Sequence, residues 1–428
     1  MFRLQWVEPV ARLADPRTRV KATFGCWREV TTRIIDTAVV GAGPYGLSIA
    51  AHLEDRGIDF RIFGKPMTTW LNHMPKGMLL KSDGFASNLS APTGDHTLRS
   101  FCARHDIAYD DYSIPVSLAT FTDYALDFQR RFVPEIDQRL VTSLVPNDGS
   151  FALQLDGGEC IRARRVVLAV GISHFEHVPD ILRQHAGPFV SHSNAHRDME
   201  RFRDSDITII GAGASAIDLA AGLHDGGARV RLVVRAPAIR FSSPPGEPSL
   251  WRRIRHPSSG LGPGIRSRLY CELPHLFRYL PAPLRLEIVR RHLGPSSPWY
   301  LRTRVIAKVT VLTGQEVESA AIRDNRVWLS LRNGASKPVS IATDHVIAAT
   351  GFRVDLRRLP LMDENLRRRI RTVGSMPVLS TNFESSVSGL YFAGLPAASS
   401  FGPLMRFMYG SEFAARRISE RIAAITND

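Results

Sequence analysis

Apolar residues along this chain gather in short β-branched runs that end in glycine, not in the long stripes of a helical bundle. The run "IIDTAVV" (34–40) has the length and make-up of a buried parallel strand. It enters Gly41-Ala42-Gly43-Pro44-Tyr45-Gly46, after which "LSIAAHLEDRG" (47–57) has the pattern of a helix closing on glycine. "DFRIF" (59–63) then predicts a second strand. The same order recurs downstream. "ITII" (207–210) leads into Gly211-Ala212-Gly213-Ala214-Ser215-Ala216, a helix, and the strand "ARVRLVVR" (228–235). Each half also has a returning apolar strand that ends in glycine: "RRVVLAVG" (164–171) and "DHVIAATG" (344–351). Together these predict an α/β fold with two nested, Rossmann-like, doubly wound dinucleotide-binding domains.

Strand, glycine turn and helix form the context that gives G-x-G-x-x-G a physical meaning. Gly41 permits the tight turn, Gly43 lets a pyrophosphate approach bare backbone, and Gly46 lets the helix pack close to the strand. Pro44 and Tyr45 fill the variable positions of the same phosphate cradle, and the helix N-terminus adds unpaired N–H groups. In the second cradle Gly211 and Gly213 keep their roles, Ser215 precedes the last small residue, and Ala216 stands in third position with a slightly wider helix–strand gap. Arg235 ends the following strand, 22 residues after Gly213. A carboxylate there would favour NAD, whereas arginine suits the 2′-phosphate of NADPH; an arginine that merely ends a strand is the alternative. In the first half Gly64 occupies that position, so Lys65 or backbone atoms are expected to hold that end of the ligand. Gly171 and Gly351 are each expected beside their own nucleotide.

Bulk properties narrow the picture. The chain has 428 residues, 44% hydrophobic and 22% charged, enough for two or three globular domains. No run reaches 18 apolar residues, so no membrane-spanning helix is expected. Cys26, Cys102, Cys160 and Cys271 are scattered without a C-x-x-C pair, which argues against a zinc site or a redox-active disulfide and suits a cytoplasmic location. No metal is expected, since H-E-x-x-H spacing is missing, and no G-x-S-x-G elbow supports a hydrolase. Net charge is +14 and uneven: 13 arginines face only Glu247, Glu272 and Glu287 between Arg235 and Arg304. The excess reads either as a site for an anionic partner (a phosphorylated cofactor, an acidic substrate or a membrane surface) or as a solvated surface. Nucleic acid is not expected, because no aromatic-interleaved basic stripe accompanies the charge. The predicted division is an N-terminal extension (1–33), a first domain in two parts (34–198 and 344–428), and a second domain (199–343). The latter carries a Pro/Gly/Arg-rich insertion (236–304) that either caps the active site, touches a membrane face, or is a surface excursion.

These residues resemble the single-component flavoprotein monooxygenases that hold both FAD and NADPH: flavin-containing monooxygenases, Baeyer–Villiger monooxygenases and ornithine/lysine N-hydroxylases. The resemblance runs from about Ile34 to the C-terminus, and "GAGASA" (211–216) fits the N-hydroxylase form. "FVSHSNAH" (189–196) is similar to a shortened form of the family's F-x-G-x-x-x-H-S linker, and "DHVIAATGF" (344–352) to its D-x-x-x-L/F-A-T-G-Y segment. The resemblance implies that "TTWLNHMPKGMLLKSDGFASNLS" (68–90) runs past the flavin, with Trp70 and Met74 near its ring; simple core packing is the other reading. It implies that Asn88 offers a hydrogen bond at the oxygen-reacting face, unless Asn88 is only a turn residue. It implies that "GLYFAGLPAASSFGPLMRFMYG" (389–410) covers the pyrimidine end, through Gly394, Gly402, Pro403 and Leu404. The implied activity is use of NADPH and O2 to oxygenate a small-molecule substrate at nitrogen, sulfur or a carbonyl carbon, through a flavin hydroperoxide. A reductase passing electrons to a partner protein, and a non-catalytic redox sensor, remain as alternatives.

Overall fold

Two glycine loops call for two sheets, and the computed structural model contains both; it describes residues 30–244, 257–292, 294, 296–334 and 336–426. The first lobe opens with β1 (Val30–Val40), α1 (Pro44–Asp55) and β2 (Phe60–Phe63), followed by α2 (Leu98–Arg104) and α3 (Leu118–Phe132). β3 (Val141–Asn147), β4 (Ser150–Leu155) and β5 (Cys160–Leu168) complete the order β2-β1-β5-β4-β3. β1 lies between two parallel neighbours, with Val39 opposite Ile62 on one side and Val167 on the other. Val39, Val166, Val167 and Leu168 are fully buried, as strands covered on both faces must be. β1 already begins at Val30, inside the stretch expected to be an extension.

A one-turn helix, α4 (Asp180–Arg183), leads to the second lobe: β6 (Val190–His192), β7 (Asp206–Ile210), α5 (Ala214–Asp225), β8 (Arg229–Val234) and, further on, β9 (Thr310–Thr313). An antiparallel meander, β10 (Glu316–Arg323), β11 (Arg326–Arg332) and β12 (Val339–Thr343), precedes β13 (His345–Ala348). The second sheet has the order β6-β13-β7-β8-β9, and every pair in it is parallel. Both β6 and β13 therefore belong to this lobe, which runs from about 190 to 348, in place of the expected 199–343. The reason is register: Ile347 needs Ile209 and Ser191 as neighbours to satisfy its backbone, and only this sheet offers them. After a small hairpin of β14 (Thr372–Val373) and β15 (Met376–Pro377), the chain returns to the first sheet as β16 (Leu390–Phe392) beside β5. The final helix, Ser411–Thr426, lies against α1.

The insertion corrects a second expectation. By sequence it interrupts the second lobe, and its ends stay there, with Ile239, Phe241, Tyr300 and Leu301 against that lobe's core, yet its middle, 257–292, packs on the first. α6 (Ile265–Glu272), a 3-10 turn (Pro274–Tyr279) and α7 (Ala282–Arg291) bring Leu261, Phe277 and Val289 into the first lobe's core. Arg285 donates to the Ser399 carbonyl at 2.8 Å, and Arg406 donates to those of Val289 and His292 at 3.1 and 2.8 Å. Residues 245–256 of the insertion lie outside the described residues. Among the described residues no helix is long and apolar enough to cross a membrane.

Candidate functional site

The three glycines of the first cradle are required for different reasons. Gly41 has φ +112°, and a Cβ there would stand 2.3 Å from the Ala169 carbonyl oxygen. At Gly46 a Cβ would stand 1.8 Å from the Gly41 oxygen. Gly43 differs: its φ of −87° and ψ of −172° suit any residue, and a Cβ there meets nothing within 4 Å. Packing demands the first two, but nothing among the described residues demands the third. Gly43 is the N-cap of α1 and, lacking a side chain, leaves the first-turn N–H groups uncapped. A bare N-terminus beside open space is what an anionic phosphate needs.

The second cradle repeats this division. Gly211 has φ +140° and a Cβ there would lie 2.3 Å from the Ala349 oxygen, whereas Gly213, with φ −84° and ψ 177°, faces open space. Ala216 is fully buried against the sheet, and Ser215 is exposed in the first turn of α5. Ala169 and Ala349 each stand two residues before a glycine with positive φ, Gly171 (+69°) and Gly351 (+77°). Both cradles thus sit at the carboxyl ends of parallel strands, where open α/β sheets bind ligands.

Segments far apart in sequence converge on the first cradle. The Tyr45 hydroxyl donates to the Phe407 carbonyl at 2.7 Å, and burial raises its pKa far above the usual phenol range, so it stays a neutral donor. Gly394 (φ +72°) turns the chain beside the Tyr45 ring, and Gly402 (φ +85°) packs under Phe277, with Pro403 and Leu404 buried behind it. Gly64 has φ +114°, and a Cβ there would lie 3.7 Å from the Ala42 nitrogen; the exposed Lys65 uses its carbonyl to accept from Thr68. Met67 is a residue that sequence reasoning missed. It is fully buried with φ +53°, and its N–H donates to the Ala42 carbonyl at 3.0 Å. Such strain in a non-glycine residue gathers at functional sites, but the sequence signals it nowhere.

After Met67 a single π turn spans Thr69–His73. Within it Thr69 lies 3.4 Å from the Ser173 hydroxyl and close to Gly171, tying the turn to the end of β5. Trp70, half-buried, packs its ring on Phe121 of α3 at 4.6 Å, and Met74 is half-buried just beyond the turn. Asn88 bonds at both ends: its amide donates to the Phe85 carbonyl at 2.9 Å, and its oxygen accepts from the Leu98 N–H at 2.7 Å. Asn88 thus helps to start α2, and one amide N–H remains over for another acceptor.

Arg235 lies just past β8, with its side chain 83% exposed and only a 3.8 Å pairing to Glu316, so its guanidinium is free to turn. Gly351, at the end of β13, is held by the inter-lobe linker: His192 donates to its carbonyl at 3.0 Å. Burial holds the His192 pKa below the ordinary value against the pull of Glu176, so the ring is a neutral Nε2–H donor. Phe352 packs edge-on to that ring at 5.1 Å. The lobes also meet where Tyr300 donates to the Leu79 carbonyl at 3.1 Å and Lys81 donates to that of Ser296. Asp218 on α5 lies at this seam. Burial lifts its carboxyl to about 7, against the pull of Arg304 and Lys81.

Comparison with known proteins agrees with this architecture. Indole-3-pyruvate monooxygenase YUCCA1 of Oryza sativa subsp. japonica is 27% identical over 217 residues, 48% of this chain and 48% of the relative. A ferredoxin–NADP reductase of Mesorhizobium japonicum is 34% identical over 139 residues, 30% of this chain and 40% of the relative. The chain therefore spans about half or less of the length of these curated relatives. The structure of the ornithine N-hydroxylase of Kutzneria sp. 744 superposes with a TM-score of 0.74 at 15% identity, covering 92% of this chain and all of that one, a likeness of fold. The family model for pyridine nucleotide-disulphide oxidoreductases matches residues 38–256, just over half the chain, from β1 through both glycine loops into the insertion. The chain belongs to that family.

Proposed function

We propose that this oxidoreductase holds FAD in the first lobe and NADPH in the second, and uses O2 to oxygenate a small organic substrate at nitrogen, sulfur or a carbonyl carbon. One observation carries the reading: two open glycines, Gly43 and Gly213, each cap a bare helix N-terminus in an otherwise close-packed loop. When bound, the nicotinamide would supply reducing equivalents and the flavin would pass them to dioxygen.

The chain's own part is to bind, orient and shield. The first-turn N–H groups of α1 and α5 take the pyrophosphates, and Arg235 takes the 2′-phosphate. Gly171 and the π turn of Thr69–His73, with Trp70 and Met74, would hold a bound flavin from one side, and Gly394 and Gly402–Leu404 from the other. The spare N–H of Asn88 would be the donor available to oxygen at a bound flavin. The bonds of Tyr300 to Leu79 and of Lys81 to Ser296 hold the two lobes together beside Asp218.

Within its family the chain departs from dithiol chemistry. The sequence has no C-x-x-C pair of the kind dithiol exchange uses, and Cys102, Cys160 and Cys271 sit on three separate elements, α2, β5 and α6. The same scatter supports a cytoplasmic location. A second reading, a reductase that passes electrons to a protein, is favoured by the 34% identity to a ferredoxin–NADP reductase. Anaerobic reduction with NADPH, followed by O2 and a panel of amines, thioethers and ketones, separates the two. Oxygen-dependent product supports the monooxygenase. Electron transfer to ferredoxin without any oxygenated product would replace it with the reductase, and nucleotide binding without NADPH oxidation would leave a sensor.

A further inference from the structure

Six of the thirteen well-exposed large apolar side chains among the described residues fall in one stretch of the insertion: Ile265, Leu269, Leu273, Leu276, Tyr279 and Leu284. Tyr279 is the most open of all, at 73%. This exposure is built into the hairpin, because its opposite face is already in use. Ser267 is buried, Tyr270 packs on Phe277 and His292 with ring centroids 5.7 and 4.8 Å apart, and Phe277 and Val289 are buried in the core. Arg285 and Arg406 bolt the hairpin to the segment around Ser399, so it cannot roll its leucines inward.

Charge frames the stripe. At about 100° per residue, Ile265 and Leu269 lie within about 40° of each other on α6, with Arg266 and Arg268 about 80° to either side of their mean direction. Residues 265–292 carry six arginines against Glu272 and Glu287. Arg290 and Arg291 are exposed where α7 ends, both close to Glu287. A stripe of leucines flanked by arginines, with an exposed tyrosine beside it, matches the boundary between acyl chains and anionic headgroups: side chains enter the hydrocarbon and guanidinium groups reach phosphates. A second copy of the chain fits less well, since two such patches face to face would oppose arginine to arginine.

We propose that the α6–α7 hairpin is a docking surface for an anionic lipid bilayer, on which the protein rests through Ile265, Leu269, Leu276 and Tyr279. Because the hairpin is fastened to the C-terminal part of the first lobe, docking would hold the whole molecule in one orientation on the membrane. The inference does not depend on the proposed reaction.

The test is co-flotation of the full-length, FAD-reconstituted protein with phosphatidylcholine vesicles, with and without phosphatidylglycerol, at low and high salt. Binding to the anionic vesicles is expected, and raised salt should weaken it. Leu269→Ser and Leu276→Ser should each lower the partition coefficient about tenfold, and Arg266→Gln about fivefold. All three positions are exposed, so the melting temperature and flavin content should stay unchanged. Absence of flotation with anionic vesicles, or equal flotation of wild type and variants, overturns the proposal. So does a concentration-dependent dimer in sedimentation that Leu269→Ser and Leu276→Ser dissolve, which would mean that another copy covers the patch.

Discussion

Replacing Gly43 and Gly46 by alanine, one at a time, separates a ligand's demand from a fold's demand within four residues. At Gly46 the new Cβ would stand 1.8 Å from the Gly41 oxygen, where a carbon–oxygen contact needs about 3.3 Å. α1 must then move off β1 by about 1.5 Å, and overpacking of this kind costs about 1–3 kcal/mol or more. For a domain of this size that lowers the melting temperature of the apoprotein by about 2–12 °C. At Gly43 the backbone is already in an ordinary region and the Cβ meets nothing, so the apoprotein melt should not move. The methyl group instead occupies the approach of the pyrophosphate. Loss of one charge-assisted hydrogen bond, about 1.5–3 kcal/mol, raises the FAD dissociation constant about 10–100-fold. Apoprotein melting and flavin fluorescence titration measure the two effects independently. If Gly43→Ala binds FAD as the wild type does, or destabilises the apoprotein as much as Gly46→Ala, the assignment of this loop as a phosphate cradle is refuted.

Four further outcomes follow from the same geometry. Gly213→Ala should retain FAD and stability but lose NADPH oxidation, seen as bleaching only by a chemical reductant. Arg235→Gln should raise KM for NADPH about tenfold and leave NADH use unchanged, and equal effects on both would remove Arg235 from the 2′-phosphate site. Asn88→Asp keeps an acceptor for the Leu98 N–H but loses both amide donors, the one to the Phe85 carbonyl as well as the spare one; hydrogen peroxide released per NADPH should rise several-fold while α2 stays folded, and tight coupling would exclude that role. Asp218, lifted to about 7 by burial, binds its proton more tightly in the native than in the unfolded chain. Its contribution is therefore complete below about pH 4 and is lost as pH rises to about 7, a decline on the order of 2–4 kcal/mol. Asp218→Asn should flatten that part of a denaturant-derived stability profile, and an unchanged slope would show that the carboxyl titrates normally.

The two glycine loops and the four strands around them were legible from residue order alone. A buried parallel strand must be short and apolar on both faces, and the turn that follows it admits only glycine where backbones touch: Gly41 against Ala169, Gly211 against Ala349. These are local demands, and local demands leave marks in the sequence. The strain at Met67, the double bonding of Asn88 and the packing of Trp70 on Phe121 left none, since each depends on partners brought in by distant segments. Lobe boundaries were misplaced for a related reason: a three-residue strand such as β6 exists only because β13 offers it hydrogen bonds. The insertion was visible in composition, but which lobe it would join was not. Phe277 and Val289 look like any apolar residues, and only the tertiary structure directs them into the first lobe's core while leaving Leu269 and Leu276 in water. Backbone geometry next to glycine is set by neighbours along the chain, whereas burial is set by whatever else arrives in space.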